Sequence, residues 1–520
     1  MRGALFGLLG GRISAGWSVA IVFIAACAQA TGAGWPFSTV FSQGQTFWWL
    51  QLISLSVFLV VVSGSTTPHQ AAWLAWGFAT AWLGSTFWWL FVAMNTYGGL
   101  PAWLAAFAVL ALAAALGGYY ALAIWAWRRY VPAGGWLSVS AFAALWLMAE
   151  MARGTWLTGF GWGAIGYAHV DGPLAAYLPW VGSYGVSAIV AAWAAAWGLA
   201  WVRERWLGAV ALSALLMTPS VMPADWNAWT TPTGTLQVTL LQGNIPQDEK
   251  FEAGSGVPLA LQWYRDALLQ TTGDLVVAPE TAIPLLPQQL PDGYWNALAA
   301  RFSQGHPSAL IGIPLGSFQA GYTNSVIGLS PSAPGGWQYD KHHLVPFGEF
   351  IPPLFKWFTR LMNIPLGDFN RGPLGQASLP VQGERVAPNI CYEDLYGEEL
   401  ATRFADAATA PTVFANVSNM GWFGGTVALQ QHLNISRVRA LEFQRPFVRA
   451  TNTGATAFLS YRGEVLQMLP PQTRGVLQGE VQGRTGMTPF AWWASRFGLW
   501  PLWIASLLLL GWAWRRREHP

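Results

Sequence analysis

Three residues of complementary chemistry lie in the C-terminal half of this 520-residue sequence. Glu280 ends "VVAPE", Lys341 opens "KHHLVPFGEF", and Cys391 lies in "NICYEDLYGEEL". A cysteine attacks a carbonyl carbon as its thiolate, and its unperturbed pKa is about 8.5, so a base must take the proton or neighbours must lower the pKa. A partly desolvated carboxylate after a strand, as at Glu280, stays basic enough for that task. An ammonium such as that of Lys341 favours the thiolate and then steadies the oxyanion formed on attack. Lysine is scarce, with only Lys250, Lys341 and Lys356 in the chain. Each residue alone also has a plain structural reading. Cys391 can be an inert thiol at a strand end, Lys341 a surface partner of Asp340, and Glu280 a hydrogen-bond acceptor for a turn.

The elements that must position these groups belong to a chain of two characters. It is 53% hydrophobic and 10% charged, with 34 tryptophans, whereas soluble chains carry about 25% charged residues. The net charge of +3 gives no reason to expect a nucleic-acid partner. Residues 1–222 and 496–514 are nearly devoid of charge, and 223–490 have the composition of a water-soluble domain. A membrane helix needs about 20 apolar residues. Candidates lie near 14–32, 46–64, 70–92, 101–127, 136–152, 178–202, 206–222 and 496–514, which predicts eight spans. With eight, the pairs Arg2/Arg12, Arg128/Arg129 and Arg203/Arg205 and the run Arg515–Arg517 all fall on one side, which should be the cytoplasm. The expected organisation is a membrane domain over 1–222, an extracytoplasmic catalytic domain over 223–490, and a final span with a cytoplasmic tail over 491–520.

"FIAACAQA" (23–30) resembles a signal-peptide or lipid-modified cysteine region around Cys27. Seven further spans make a removable signal unnecessary, so Cys27 is expected to pack within the first span. Cys391 is then alone in a compartment where cysteines pair or are absent, which favours a use for it.

Within the soluble part, 235–244, 274–280, 308–316, 324–331, 385–393 and 411–419 are each predicted to be a strand entering a loop. Residues 257–270, 291–303 and 428–446 carry helical apolar spacing, and 456–467 a hairpin. Strands mixed with helices predict a layered α/β or α+β domain.

A glutamate after a strand, a lysine some sixty residues on and a cysteine some fifty after that resemble the Glu-Lys-Cys arrangement of the nitrilase superfamily of carbon–nitrogen hydrolases. That resemblance implies an α/β nitrilase-like αββα sandwich, with Glu280 as base, Lys341 supporting the oxyanion and Cys391 forming an acyl-thioester. Set beside a polytopic α-helical membrane domain, it narrows to the apolipoprotein N-acyltransferase family. The motifs that carry it are "WLTGFGW" (156–162), "QGNIPQ" (242–247), "PETAIP" (279–284), "KHHLVPFGEFIP" (341–352), "ICYE" (390–393), "NMGWFG" (419–424) and "RALEFQRPFVRATNTG" (439–454).

The family resemblance implies a bacterial inner-membrane enzyme with its catalytic domain in the periplasm. Its acyl donor is a phospholipid, phosphatidylethanolamine by expectation, and its acceptor the α-amino group of an S-diacylglyceryl cysteine on a lipoprotein. No cofactor or metal is implied, and a monomer is expected. Glu349 matches a second glutamate that holds the lysine, and Tyr392 and Glu393 match residues the family needs for activity. Phe251 stands where a tryptophan is usual and Met420 where an aspartate is common; both are expected to touch lid packing or substrate fit. Two other readings compete: a membrane-anchored amidase or nitrilase acting on small carbon–nitrogen substrates, and a scaffold or transporter with a degenerate domain. Few intramembrane charges speak against transport.

His342, His343 and His432 show no metal-binding spacing and are expected to cap or hydrogen-bond. Arg437, Arg439, Arg445 and Arg449 are expected to pair with carboxylates. Glu150 and Arg153, costly in lipid, are expected to pair or to face the protein interior. "PPLFKWFTRLMNIPLG" (352–367) would expose Phe355, Trp357, Phe358 and Leu361 on a soluble domain, which marks an interaction site. It is expected to be a lid dipping into the outer leaflet, against the alternative of an arm packed permanently on the domain.

Overall fold

The computed structural model describes residues 14–204, 206–223, 225–303, 307–333, 336–352 and 368–518. The chain divides into two compact units. One is Met1–Phe91, Ala102–Trp226 and Leu499–Pro520; the other is Val92–Pro101 and Asn227–Gly498.

In the first unit the apolar blocks are helices: α1 (Ala15–Ala33), α2 (Trp48–Ser63), α3 (Pro68–Thr86), α4 (Ala102–Tyr130), α5 (Gly135–Thr155), α6 (Leu178–Arg203), α7 (Trp206–Met217) and the C-terminal Trp500–Glu518. Among the described residues four helical stretches are long and apolar enough to cross a membrane, or up to six if two bent helix pairs each count as one span. The expected segments 46–64 and 206–222 coincide with shorter apolar helices. The 16 residues of α2 rise about 24 Å, less than the ~30 Å hydrocarbon core. Cys27 lies within α1 as a free thiol. Glu150 and Arg153 are both buried. Glu150 accepts from the Ile165 amide at 3.0 Å, while Arg153 donates to the Phe160 and Trp162 carbonyls at 2.6 and 2.8 Å. Both therefore face the interior, where polar groups need such partners.

The second unit holds, among its described residues, two six-stranded sheets. Sheet one runs β12-β1-β2-β3-β4-β5, built from β1 (Thr230–Gln242), β2 (Leu275–Val277), β3 (Ser308–Ser317), β4 (Gly321–Leu329), β5 (Trp337–Asp340) and β12 (Gly475–Gly486). Sheet two runs β11-β10-β9-β8-β7-β6, built from β6 (Leu379–Val381), β7 (Glu384–Ile390), β8 (Val413–Ser418), β9 (Phe447–Thr451), β10 (Ala457–Leu459) and β11 (Val465–Met468). Each has a parallel core, β1-β2-β3 in one and β7-β8-β9 in the other, extended by antiparallel strands.

Alternate residues divide the strands between two faces. Val238, Leu240, Val277, Leu310, Val386, Ile390, Val417 and Val448 meet in the core between the sheets. Val276, Ala309 and Ile311 instead pack on α8 (Gly256–Gln270) and α9 (Tyr294–Ser303). Phe414 and Phe447 pack on α10 (Ala428–Phe443) and on α11 (Pro489–Phe497). The layering is αββα, the nitrilase-like fold.

The sequence gives little sign of β12, a glycine-rich, polar strand. It forms because β1 offers an edge from Thr230 to Gln242, and pairing overrides weak propensity. Gly479 is required there, since a Cβ would come within 2.8 Å of the Phe458 ring.

Phe443 is fully buried, stacked on Phe404 with centroids 4.9 Å apart and tilted against Phe414 at 5.4 Å. Phe443→Ala is expected to cost about 3–5 kcal/mol, read as a lowered Tm of the detergent-solubilised protein.

Candidate active site

The parallel strands of both sheets end on one edge, where α/β folds place their sites. Glu280 follows β2, Lys341 follows β5 directly, Cys391 follows β7 and Asn419 follows β8. Sheet one thus supplies the carboxylate and the ammonium, and sheet two the thiol.

Lys341 is 1% exposed, and its Nζ lies 2.9 Å from Glu349 Oε1 and 3.4 Å from Glu280 Oε1. Asn324, on β4, donates through Nδ2 to the same two oxygens, at 2.7 Å each. Glu280 Oε2 accepts from the Asn419 amide at 2.8 Å, and Glu349 Oε2 from the Val345 amide at 2.8 Å. Burial pulls the Lys341 pKa down, but Glu349 and Glu280 outweigh it and hold it above the ordinary value. Lys341 therefore stays charged.

Cys391 begins a turn of 3-10 helix with φ +51°. A positive φ is uncommon outside glycine, and a strained strand-to-helix turn presents a nucleophile above a sheet edge. The residue remains partly exposed. Burial, Glu280 and Glu349 push its thiol pKa up, against Lys341 and the Asn419 main chain. At neutral pH the site holds a thiol beside a carboxylate, so the proton must leave during attack.

Glu393 does different work. Its Oε1 accepts from the His342 amide at 2.7 Å, and its Oε2 accepts from the Ile390 amide at 2.7 Å and the Tyr339 hydroxyl at 2.8 Å. It ties the Lys341 segment to the cysteine turn. Tyr392 is buried against the rings of Tyr396 and His343, at 5.3 and 5.6 Å.

A sequence model of the apolipoprotein N-acyltransferase N-terminal domain matches residues 32–196, and one of the carbon–nitrogen hydrolases matches 237–490. The chain is 52% identical to the apolipoprotein N-acyltransferase of Verminephrobacter eiseniae, over 97% of this chain and 98% of the relative. It is 46% identical to that of Ralstonia nicotianae, over 91% and 90%, and 39% identical to that of Bordetella bronchiseptica, over 90% and 92%. The chain belongs to the apolipoprotein N-acyltransferase family.

In this family member Glu280, Lys341 and Glu349 form one hydrogen-bonded cluster through Asn324, Cys391 interacts electrostatically with all three, and Glu393 braces the backbone beside them. Phe355, Trp357, Phe358 and Leu361 lie outside the described residues. Met420 is buried beside Asn419, and Phe251 is 44% exposed next to Lys250. Sequence reasoning missed Asn324 and Asn419, which carry no mark beyond an asparagine in or after a strand.

The three histidines engage in hydrogen bonds. His342 Nδ1 lies 2.7 Å from the Gly372 carbonyl and His343 Nδ1 2.9 Å from Glu399 Oε1. Arg449 donates to His432 Nδ1 at 3.0 Å, so the ring proton is on Nε2, 3.0 Å from the Cys391 carbonyl. Burial and Arg449 keep the His432 pKa low, hence the ring neutral. Arg449 also pairs with Asp394 at 2.9 Å and Arg439 with Glu442 at 3.0 Å, as expected. Arg445 donates to the Pro411 and Gly486 carbonyls, and Arg437 donates, among its contacts, to the Gly463 carbonyl. Strand ends and turns leave such acceptors open.

Because the thiol pKa is raised, alkylation of Cys391 by iodoacetamide should have its midpoint above that of a free cysteine peptide. Glu280→Gln removes a charge that opposes the thiolate, so its midpoint should move to lower pH while acyl transfer is lost. An unmoved midpoint in the folded variant would show that the carboxylate does not reach the thiol electrostatically.

Proposed function

We propose that the chain transfers an acyl chain from a phospholipid, phosphatidylethanolamine in the first instance, to the α-amino group of the S-diacylglyceryl cysteine of an apolipoprotein. The observation that carries this reading is the Glu280–Lys341–Cys391 cluster, set in a chain that aligns with named N-acyltransferases along nearly its whole length.

Glu280 takes the Sγ proton as Sγ attacks the ester carbonyl, and Lys341 Nζ steadies the oxyanion. The ester C–O bond breaks, Glu280 returns the proton to the departing alkoxide, and a lysophospholipid leaves an acyl-thioester on Cys391. The lipoprotein amine then attacks the thioester, Glu280 takes its proton, and the expelled thiolate recovers it. The protein acts as a monomer, Glu349 holds Lys341, and Glu393 holds the main chain beside Cys391 and Lys341. The 352–367 segment is the lid for acyl-chain entry, on the strength of its sequence.

The membrane arrangement that suits this chemistry has eight spans, with domains over 1–222, 223–490 and 491–520. The catalytic domain then faces the periplasm of the bacterial inner membrane. The apolar helices and the arginine clusters support it.

Incubation with phosphatidylethanolamine should add one acyl mass to the intact protein, labile to neutral hydroxylamine and absent in Cys391→Ala. Folded, lipid-exposed protein that gained no adduct would favour the small-amide hydrolase. For topology, a green fluorescent protein fused after residue 520 should fluoresce, and alkaline phosphatase inserted near residue 319 should be active. The reverse pattern would overturn the eight-span arrangement.

A further inference from the structure

Lys250 ends the "QGNIPQDEK" turn that follows β1 and is 1% exposed. Its Nζ donates to the main-chain carbonyl of Glu280 at 3.1 Å. The next residue, Thr281, has φ +51°, a conformation that a β-branched residue keeps only when its surroundings hold it. From the β3 side, Gly312 permits a close approach, for a Cβ there would come within 2.8 Å of the Glu280 Cα. The Ile283 amide donates to the Gly312 carbonyl at 3.1 Å. The turn bearing Glu280 is therefore clamped by β3 on one side and by an ammonium on the other.

A neutral donor would hold a carbonyl as well, without the cost of burying an ammonium, so the charge itself calls for an explanation. Lys250 interacts attractively with both Glu280 and Cys391. We propose that Lys250 is a positioning residue that fixes the Glu280 turn and supplies a second positive charge favouring the Cys391 thiolate. This rests on Glu280 and Cys391 being base and nucleophile.

The charged groups around Lys250 are Glu280 and Cys391 at the strand ends and Lys341, which reaches the same carboxylate at 3.4 Å. Asp248, Glu249 and Glu252 belong to its own turn. Glu349 and Glu280 keep Lys341 charged, whereas burial lowers Lys250 to about 8 despite Glu280 and Cys391. As pH rises through that value the second charge is lost, the thiolate is less favoured and the clamp weakens. Thioester formation should therefore fall on the alkaline side.

The test measures phosphatidylethanolamine-derived adduct formation and Cys391 alkylation against pH in the full-length wild type, Lys250→Met and Lys250→Arg. Lys250→Met should slow adduct formation on the order of 10²-fold, the scale of a ~1 Å misplacement, and slow Cys391 alkylation at pH 7, where Lys250 is still charged. Lys250→Arg, whose charge persists above pH ~12, should recover much of the lost rate and carry its alkaline limb upward. An unchanged rate of Cys391 alkylation at pH 7 in folded Lys250→Met overturns the proposal, as does a rescued Lys250→Arg with the wild-type alkaline limb. If Lys250→Arg does not fold, the pH 7 alkylation rate of Lys250→Met decides. A wild type that forms no adduct overturns the parent reading instead, and the proposal with it.

Discussion

Two buried carboxylates share one buried ammonium, and the catalytic unit is arranged around that constraint. Lys341 lies within 3.4 Å of both Glu280 and Glu349. Buried charges are tolerated only when paired and hydrogen-bonded, so each oxygen must find a donor. Asn324 serves one oxygen of each carboxylate, and the Asn419 and Val345 amides serve the others. These donors come from β4, from the end of β8 and from the loop after β5. The strands must therefore end in register at one edge.

That charge balance also sets the state of Cys391. Burial, with Glu280 and Glu349, outweighs Lys341 at the sulfur, so Cys391 stays a thiol at rest. Oxidation follows thiolate character. A protonated cysteine is thus poorly reactive towards oxidants at rest.

Glu393 shows how a residue beside Cys391 can organise the site through hydrogen bonds to its main chain. Its carboxylate joins the cysteine turn, the Lys341 segment and Tyr339 through hydrogen bonds of 2.7–2.8 Å. On the other side of the turn, His432, held by Arg449, lies against the Cys391 carbonyl. The positive φ at Cys391 is maintained from both sides, as strain at a functional site requires.

Residue chemistry and periodicity were enough to mark Glu280, Lys341 and Cys391 as candidates, because Glu280 and Cys391 follow short β-rich runs, lysine is scarce and the thiol is reactive. They also separated the apolar blocks from the domain of ordinary charge, and alternation revealed most of the central strands. The roles of Asn324 and Asn419 and the clamp made by Glu393 were not legible, because hydrogen-bond partners 25 to 139 residues apart in sequence leave no local pattern. The strand β12 was hidden for the same reason, since its pairing with β1 rather than its own residues makes it a strand. Lysine scarcity singled out Lys250 as readily as Lys341. Only the tertiary structure, by burying both against Glu280, placed one on its carboxylate and the other on its main chain, since sequence spacing carries no information about which atom of a neighbour a long flexible side chain will reach.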